Sequence, residues 1–471
     1  MTIKNGKKMM FIHVRPWVNM NRNGGVMSEN KIYKPKQISG FPEWLPEYRA
    51  VELAWMDKIR AVFERYGFCS IETPSVEEVD ALLAKGGETE KEIYTLTRLH
   101  ADDHDKDSRL ALHFDLTVPL ARYVAQHCND LVFPFKRYQI QKSWRGERPQ
   151  KGRFREFYQC DIDVVNVDGL PLHFDAELPA VMFEAYQSLD IPPVEMHISN
   201  RKIIIGYLQG LGVKDIPFVT RELDKIDKIG VDKTRLILAM HFELEAQELS
   251  SRERLDLAQK CLDIVQIQFA DNGFVEKVRT LGVANDLLDE GLKELSFVMD
   301  NLKHLPQGSV IADLGIIRGL DYYTGTVIEV RFKDKPLSIG GGGRYDNLAG
   351  AFINQKLPGI GVSIGLTRLF AMLLDEGYIK PVAKCPTQIL VVLPAEERRA
   401  EAAATAHSLR LRGVNVELYH SATKVKKQMS YAEKKGIPYV WFPPFEDGQP
   451  HEVKNMATGE QVQADPSVWK I

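Results

Sequence analysis

Cysteine is scarce and scattered. Cys69, Cys128, Cys160, Cys261 and Cys385 are odd in number and none stands near another. Neither a disulfide framework nor a Cys-x-x-Cys metal or redox motif follows from such spacing, and a reducing, cytoplasmic compartment is expected. No apolar run is long enough to span a bilayer or to form a signal-peptide core, so no membrane partner is expected. An excess of positive charge is also missing. The formal net charge is −3, and any contact with nucleic acid must come from local basic patches. The glycine-rich stretches lack the Gly-Lys-Ser/Thr ending of a phosphate loop. Gly359 to Gly365 is spaced one residue longer than the dinucleotide fingerprint, and no strand–turn–helix unit with an acid about twenty residues on accompanies it, which removes a nucleotide-dependent oxidoreductase.

What is present is 44% hydrophobic and 27% charged, the balance of a globular protein, spread over 471 residues and therefore over two or three domains. The first 36 residues mix Lys4, Lys7, Lys8, Arg15 and Arg22 with Asn and Gly, and read as a disordered leader or a translation extension before Met27. A transit peptide is the other reading, because acids are absent until Glu29.

A helix is predicted from Glu47 to Tyr66, stopped by Gly67, then a strand from Cys69 to Thr73 that meets Pro74. Ala111 to Pro119 reads as an apolar strand with Asp115 and Thr117 on one side by period two, followed by a helix from Leu120 to His127. The segment His100-Ala-Asp-Asp-His-Asp105 offers imidazole and carboxylate, but its flanks read as an exposed insertion and no metal site is assigned.

The most informative stretch runs from Lys142 to Asp163. A strand from Phe135 to Lys142, a charged tip with Pro149 and Gly152, and an aromatic return make a long hairpin. Arg145, Arg148, Lys151, Arg153 and Arg155 put five cations within eleven residues, more than Glu147 and Glu156 neutralise. Such a ribbon is either a solvated tip or a site for an anion such as phosphate. Gln159, Asp161 and Asp163 on the return strand look half buried, and buried polar groups want partners.

Beyond it, a helix (Ala176 to Leu189) and a strand (Val194 to Ser199) precede charged amphipathic helices at Arg221 to Lys228, Glu243 to Ala270 and Asn285 to Leu302, with no strand signal among them. Strands return at Ser309 to Asp313. Then come Arg318-Gly-Leu-Asp-Tyr-Tyr323 and Ser338-Ile-Gly-Gly-Gly-Gly-Arg-Tyr-Asp346, whose glycines are either a bulge or a bed on which a ligand lies against backbone. Pro381 to Pro386 reads as a linker. After it, strands at Gln388 to Leu393, Asn415 to Tyr419 and Tyr439 to Phe442 alternate with helices at Glu396 to Arg412 and Val425 to Lys435, which implies a small α/β domain on a largely parallel sheet. Lys424, Lys426, Lys427, Lys434 and Lys435 gather there, as an RNA-facing patch or simply as a solvated face.

Arg145-Gly-Glu-Arg-Pro-Gln-Lys-Gly-Arg-Phe-Arg-Glu-Phe-Tyr-Gln159 resembles the second signature motif of class II aminoacyl-tRNA synthetases, in the version of the histidyl-tRNA synthetase family. The helix before Pro74 resembles the first motif and the Arg368 helix the third. The Arg318 and Tyr345 segments are similar to those of the histidine family in particular, and the part after Pro386 is similar to its anticodon-binding domain. The resemblance covers roughly residues 38 to 471 and implies an α+β catalytic domain with an antiparallel sheet of the class II type, a helical insertion and a C-terminal α/β domain. The implied divisions are a leader at 1–36, catalytic parts at 37–200 and 307–380, an insertion at 201–306 and an anticodon-binding domain at 387–471.

The resemblance further implies ATP-dependent ligation of L-histidine to tRNA(His) through histidyl-adenylate, by a homodimer, with Mg²⁺ on the ATP. Arg145 and Arg318 are then the catalytic residues, and Arg145, Glu147 and Arg368 bind ATP. Asp115, Thr117, Gln159, Asp163, Arg318, Tyr322, Tyr323 and Tyr345 bind histidine. Arg148, Gln150, Lys151 and Arg153 face the tRNA acceptor end, and no protein-held metal is implied. Asp stands at 115 and 163 where the family more often has Glu, which shortens each reach by one methylene. The alternative is the non-catalytic regulatory paralogue of ATP phosphoribosyltransferase, which shares the fold but usually lacks the last domain and the ATP-binding residues.

Overall fold

A computed structural model describes residues 33–83, 91–98, 109–245, 248–317, 323–333, 335, 337–347, 349–350 and 352–471. Residues 1–32 of the expected leader, the His100 to Asp105 insertion, Arg318 and Tyr322 lie outside the described residues.

Helix α1 (Pro46–Arg65) begins where Pro46 costs no hydrogen bond and Glu47 faces the positive end of the helix dipole. Its Trp55, Met56, Ile59, Val62 and Phe63 recur at helical spacing and are all buried. The expected strand from Cys69 shrinks to β1 (Cys69–Ser70), which pairs in parallel with the ribbon. Strand β2 (Val76–Glu78), helix α2 (Val79–Leu83) and strand β3 (Leu110–Leu112) follow.

The strand expected to run on to Pro119 does not. Helix α3 (Thr117–Gln126) starts at Thr117, because Asp115 Oδ1 accepts from the N–H groups of Thr117 (3.2 Å) and Val118 (3.0 Å), and Pro119 sits in the first turn, where its N–H is not needed.

Strands β4 (Phe135–Trp144) and β5 (Glu156–Val165) form the hairpin, antiparallel and unbroken from Phe135–Val165 to Trp144–Glu156. Helix α4 (Phe174–Gln187), apolar almost all round, runs beneath the sheet. Next come strand β6 (Val194–Asn200) and helices α5 (Arg201–Gly210), α6 (Ile216–Leu223), α7 (Ile226–Ile229), α8 (Val231–Glu245) and α9 (Ser251–Val265). The single helix expected from Glu243 to Ala270 is thus divided. Ser250 and Glu253 form a reciprocal capping box that starts α9 afresh. The stretch expected to be purely helical also holds a strand, β7 (Gln268–Phe269), which closes one edge of the sheet. Helices α10 (Gly273–Arg279) and α11 (Asp286–Asn301) complete it. Gly206 and Gly291 let the backbones of α5 and α11 approach each other closely: a Cβ on Gly206 would lie 2.6 Å from Leu288 N, and one on Gly291 2.7 Å from Ile203 N.

Strands β8 (Val310–Asp313), β9 (Thr326–Phe332), β10 (Ser338–Tyr345) and β11 (Gly359–Ile364) finish a nine-stranded sheet ordered β1-β4-β5-β11-β10-β9-β6-β8-β7. It is antiparallel except at β1–β4 and β6–β8, in keeping with the antiparallel sheet expected. Helix α12 (Leu366–Asp375) packs on the same side as α1 and α4.

The lower face of this sheet is apolar: Cys160, Ile162, Val164, Ile328, Val330, Ile360 and Val362 share one core with α1, α4 and α12. Pairing carries the opposite register across the upper face. Gln139, Asp161, Ser363, Gly341, Glu329 and His197 stand in one row, and Arg137, Asp163, Gly361, Gly343 and Val327 in the next. This polar upper face holds the site.

The C-terminal part has its own sheet, ordered β13-β12-β14-β15-β16: β12 (Ile389–Val391), β13 (Val416–Leu418), β14 (Tyr439–Phe442), β15 (Glu452–Asn455) and β16 (Gln461–Gln463). Helices α13 (Arg399–Leu411) and α14 (Val425–Lys435) cover its two faces. Ile389, Val391 and Leu393 pack toward α13, while Leu390 and Val392 pack toward α14, so β12 is apolar throughout. Of the lysine cluster, Lys435 is committed within the fold, 2.7 Å from Glu417.

Candidate active site

The hairpin tip turns through Gly152 at φ 75°, a conformation that suits glycine. The turn brings Gly152 over α12, where Arg368 donates from Nε to Gly152 O (2.7 Å) and from Nη1 to Ser338 O (2.9 Å). Arg145 leaves the end of β4 with Nε donating to Phe114 O (3.1 Å) and its guanidinium 5.1 Å over the Phe157 ring. Glu147 accepts from Arg153 (3.2 Å). Arg145, Glu147, Gln159, Ser363 and Arg368 line one cleft, floored by Gly340 and Gly341. A planar cation on each side and side-chain-free backbone beneath suit a flat, multiply charged anion.

Beside the cleft, Asp163 lies 2.7 Å from Arg137 and accepts from the Tyr345 hydroxyl (2.9 Å). Arg137 is wholly buried and Asp163 is 3% exposed, so this pair sits in a low dielectric. Glycines make the arrangement possible: a Cβ at Gly361 would lie 2.0 Å from Asp163 Oδ1, and one at Gly343 would meet the Tyr323 ring at 2.7 Å. Burial, then the neighbouring Asp163, pushes the phenols of Tyr323 and Tyr345 far above their usual range, so both remain donors at any working pH. Gln159 donates to Ser363 Oγ (3.0 Å). Asp115 spends Oδ1 on the start of α3, as described, and Thr117 is the first residue of that helix.

Arg148, Gln150, Lys151 and Arg153 are exposed on the tip, closed by a bridge between Gln150 and Arg153. Among the described residues no group of three or more His, Cys, Asp or Glu comes together as a metal cage, and no helix is long and apolar enough to cross a membrane.

Sequence reasoning quoted Asp161 without a role and passed over Arg137 and Ser363. Asp161 is 4% exposed, in line with Gln159 and Asp163. Burial pushes its carboxyl up to about 7, with Arg137 and the Ser363 hydroxyl pulling the other way and Asp163 and Asp115 adding to the rise. The signal that could have found Arg137 is the period-two run Arg137, Gln139, Gln141, Ser143 on β4, four polar residues that share one face of the strand and are all buried.

The family model described as histidyl-tRNA synthetase matches residues 40–369, and the one described as anticodon binding domain matches residues 388–467. The histidine–tRNA ligase of Thermobifida fusca is 60% identical over 446 residues, 94% of this chain and 100% of the relative. The crystal structure of histidyl-tRNA synthetase from Nostoc superposes with a TM-score of 0.79 at 36% identity, covering 92% of this chain and 97% of that one. A structure from Bacillus halodurans, described as an ATP phosphoribosyltransferase regulatory subunit/histidyl-tRNA synthetase, shares the fold alone, at 21% identity, TM-score 0.69, and coverage of 85% and 97%. On the span of that match and the near-complete alignment with its relatives, the chain belongs to the histidyl-tRNA synthetase family.

Proposed function

We propose that the protein is a histidine–tRNA ligase: it joins L-histidine to ATP as histidyl-adenylate and passes the histidyl group to tRNA(His). The observation that carries the reading is the shared cleft of Arg145 and Arg368, which opens beside the Asp163–Tyr345 pair on one sheet face.

The first step brings a carboxylate onto the α-phosphorus of ATP, anion onto anion, so alignment and charge neutralisation must supply most of the rate. Arg145 holds the α-phosphate, with Glu147 beside it, and Arg368 clamps the remainder of the nucleotide. Arg318 serves the histidine carboxylate and the α-phosphate, a role that rests on its motif. Asp115, Thr117 and Gln159 receive the α-amino group. Asp163, Tyr323 and Tyr345, with Tyr322, hydrogen-bond the imidazole. A site built from such groups rejects analogues that lack a matching donor or acceptor by orders of magnitude. In the second step a ribose hydroxyl of the terminal adenosine attacks the adenylate carbonyl, with Arg148, Gln150, Lys151 and Arg153 facing the acceptor end and residues 388–467 facing the anticodon.

Magnesium accompanies ATP in this reading. Glu147 is the carboxylate on the cleft lining, and a single carboxylate suits an ion that stays largely on water and phosphate oxygens. The ion would neutralise phosphate charge, and Glu147 would reach it through water. The homodimer and the cytoplasmic location belong to the same proposal. The regulatory paralogue is disfavoured, because Arg145, Arg368 and the 388–467 domain are all present.

Histidine-dependent ATP–pyrophosphate exchange tests the first step and charging of tRNA(His) the second. Exchange that ignores histidine, or none at all, rejects the proposal.

A further inference from the structure

Between Gln159 and Asp163 on β5 stands Asp161, which the reading above does not use. All three side chains rise from the polar face of the sheet at alternate positions, so each lies about 7 Å from the next along the strand. Asp161 is 4% exposed and its carboxyl is hydrogen-bonded by the Ser363 hydroxyl, yet among the described residues its Oδ1 accepts no hydrogen bond, and Gln159, which gives its amide to Ser363, has a buried Oε1 with no donor. Two unsatisfied buried acceptors side by side are rare, because folding leaves few such groups unpaired.

Charge points the same way. Asp161 feels the charges of both Asp163 and Asp115. Among the described residues the guanidinium facing them is Arg137, which is engaged with Asp163 at 2.7 Å. Asp115 has one oxygen committed to α3. What is lacking is a small cation carrying several N–H donors. A primary ammonium has three, and Gln159, next in line, is on the wall of the nucleotide cleft.

We propose that Asp161 is a substrate-binding residue whose Oδ1, together with Gln159 Oε1, accepts hydrogen bonds from the α-ammonium group of the bound amino acid. The proposal rests on the reading of the cleft as an amino-acid adenylation site. It assigns the ammonium a full carboxylate from the floor, in addition to Asp115 at the rim.

The test compares three ligands on wild type and Asp161→Asn: L-histidine, histidinol, which keeps the ammonium and lacks the carboxylate, and 3-(imidazol-4-yl)propionate, which lacks the ammonium. Dissociation constants come from calorimetry, with exchange kinetics alongside. A lost charge-assisted hydrogen bond predicts histidine and histidinol weakened by about tenfold to a hundredfold in Asp161→Asn, with the deamino compound unchanged within about twofold. Asp161→Ser, neutral and smaller, is the second variant should the amide fail to fold, and the same pattern is expected. Equal weakening of all three ligands, or no weakening of histidine, overturns the proposal. A wild-type protein that does not bind histidine sinks instead the adenylation reading on which it stands.

Discussion

Gly361→Ala puts the close packing around Asp163 to a quantitative test. Gly361 lies on β11 directly opposite Asp163, and a methyl there would stand 2.0 Å from Oδ1, against at least 3.4 Å for an ordinary contact. The carboxylate has nowhere to retreat. It is held at 2.7 Å by Arg137 and at 2.9 Å by the Tyr345 hydroxyl, both buried. Moving it leaves a buried phenol without its acceptor, at about 1–3 kcal/mol, and loosens a charge pair besides, so a loss of roughly 2–4 kcal/mol in stability is expected. A contact displaced by about 1 Å also predicts a rise of about a hundredfold in the KM for histidine, with the KM for ATP changed only a few-fold. Gly365→Ala is the control: its methyl would meet Ile339 O at 3.3 Å and Arg368 Cβ at 3.9 Å, at a φ of −76° open to alanine. It should stay within about 1 kcal/mol of wild type. Pyrophosphate exchange at varied histidine and ATP gives the kinetic constants, and denaturant unfolding gives the stability. If Gly361→Ala keeps both its histidine KM and its unfolding midpoint, Asp163 is not gripped as described.

Four further outcomes are expected. Because burial pushes the Asp161 carboxyl up to about 7 from 3.8, the native state keeps a proton between about pH 4 and 7 that the unfolded chain has shed, and stability falls as pH rises through that window. At about 1.4 kcal/mol per unit this reaches about 4 kcal/mol by pH 8, so Asp161→Asn should raise the unfolding midpoint at pH 8 and leave it unchanged at pH 4. The same variant should weaken histidine more at pH 8 than at pH 6; the imidazole of the substrate titrates equally with both proteins and cancels in the ratio, and a ratio flat across pH would contradict this. Arg344→Met should cost about 3–5 kcal/mol, because Arg344 forms a two-pronged pair with the fully buried Asp175 beneath β10. Burial already holds the Asp175 carboxyl above its usual range, so that loss should shrink as pH is lowered, and Arg344→Met/Asp175→Asn should recover much of it by chemical denaturation; a double variant as weak as the single would argue against the pairing. Ser250→Ala should cost about 1 kcal/mol through loss of the α9 capping box and leave exchange at the wild-type rate, and an unaltered unfolding midpoint would mean the cap is not used.

Local patterns carried most of the architecture. The ribbon, helices α1 and α14, and the alternation after Pro386 were legible because periodicity, proline and glycine are written in neighbouring residues. Less legible were features decided by contacts distant in sequence. The Asp115 cap is local but is hidden by the apolar run that surrounds it, and β7, β15 and β16 are too short and too polar to announce themselves. The site divides along the same line. Arg145, Gln159, Asp163, Tyr345 and Arg368 stand in motifs, and the structure brings Arg145, Gln159 and Arg368 to one cleft and Asp163 to Tyr345. Arg137 and Ser363 acquire meaning only from register, since Arg137 faces Asp163 across one ladder and Ser363 faces Asp161 across another. Nothing within a single strand predicts which residue of another strand will stand beside it.

The glycine floor limits how such a pocket can change. Gly341, Gly343 and Gly361 leave no room for even one carbon: the nearest atoms stand 2.6, 2.6 and 2.0 Å from where it would be. Exchanging side chains there cannot retune what the pocket accepts, as any larger residue would shift a strand before it touched a ligand. Variation in substrate preference is therefore confined to the walls, on β5 and the tyrosines, and an attempt to redesign the enzyme for another amino acid should begin with those and leave the bed untouched.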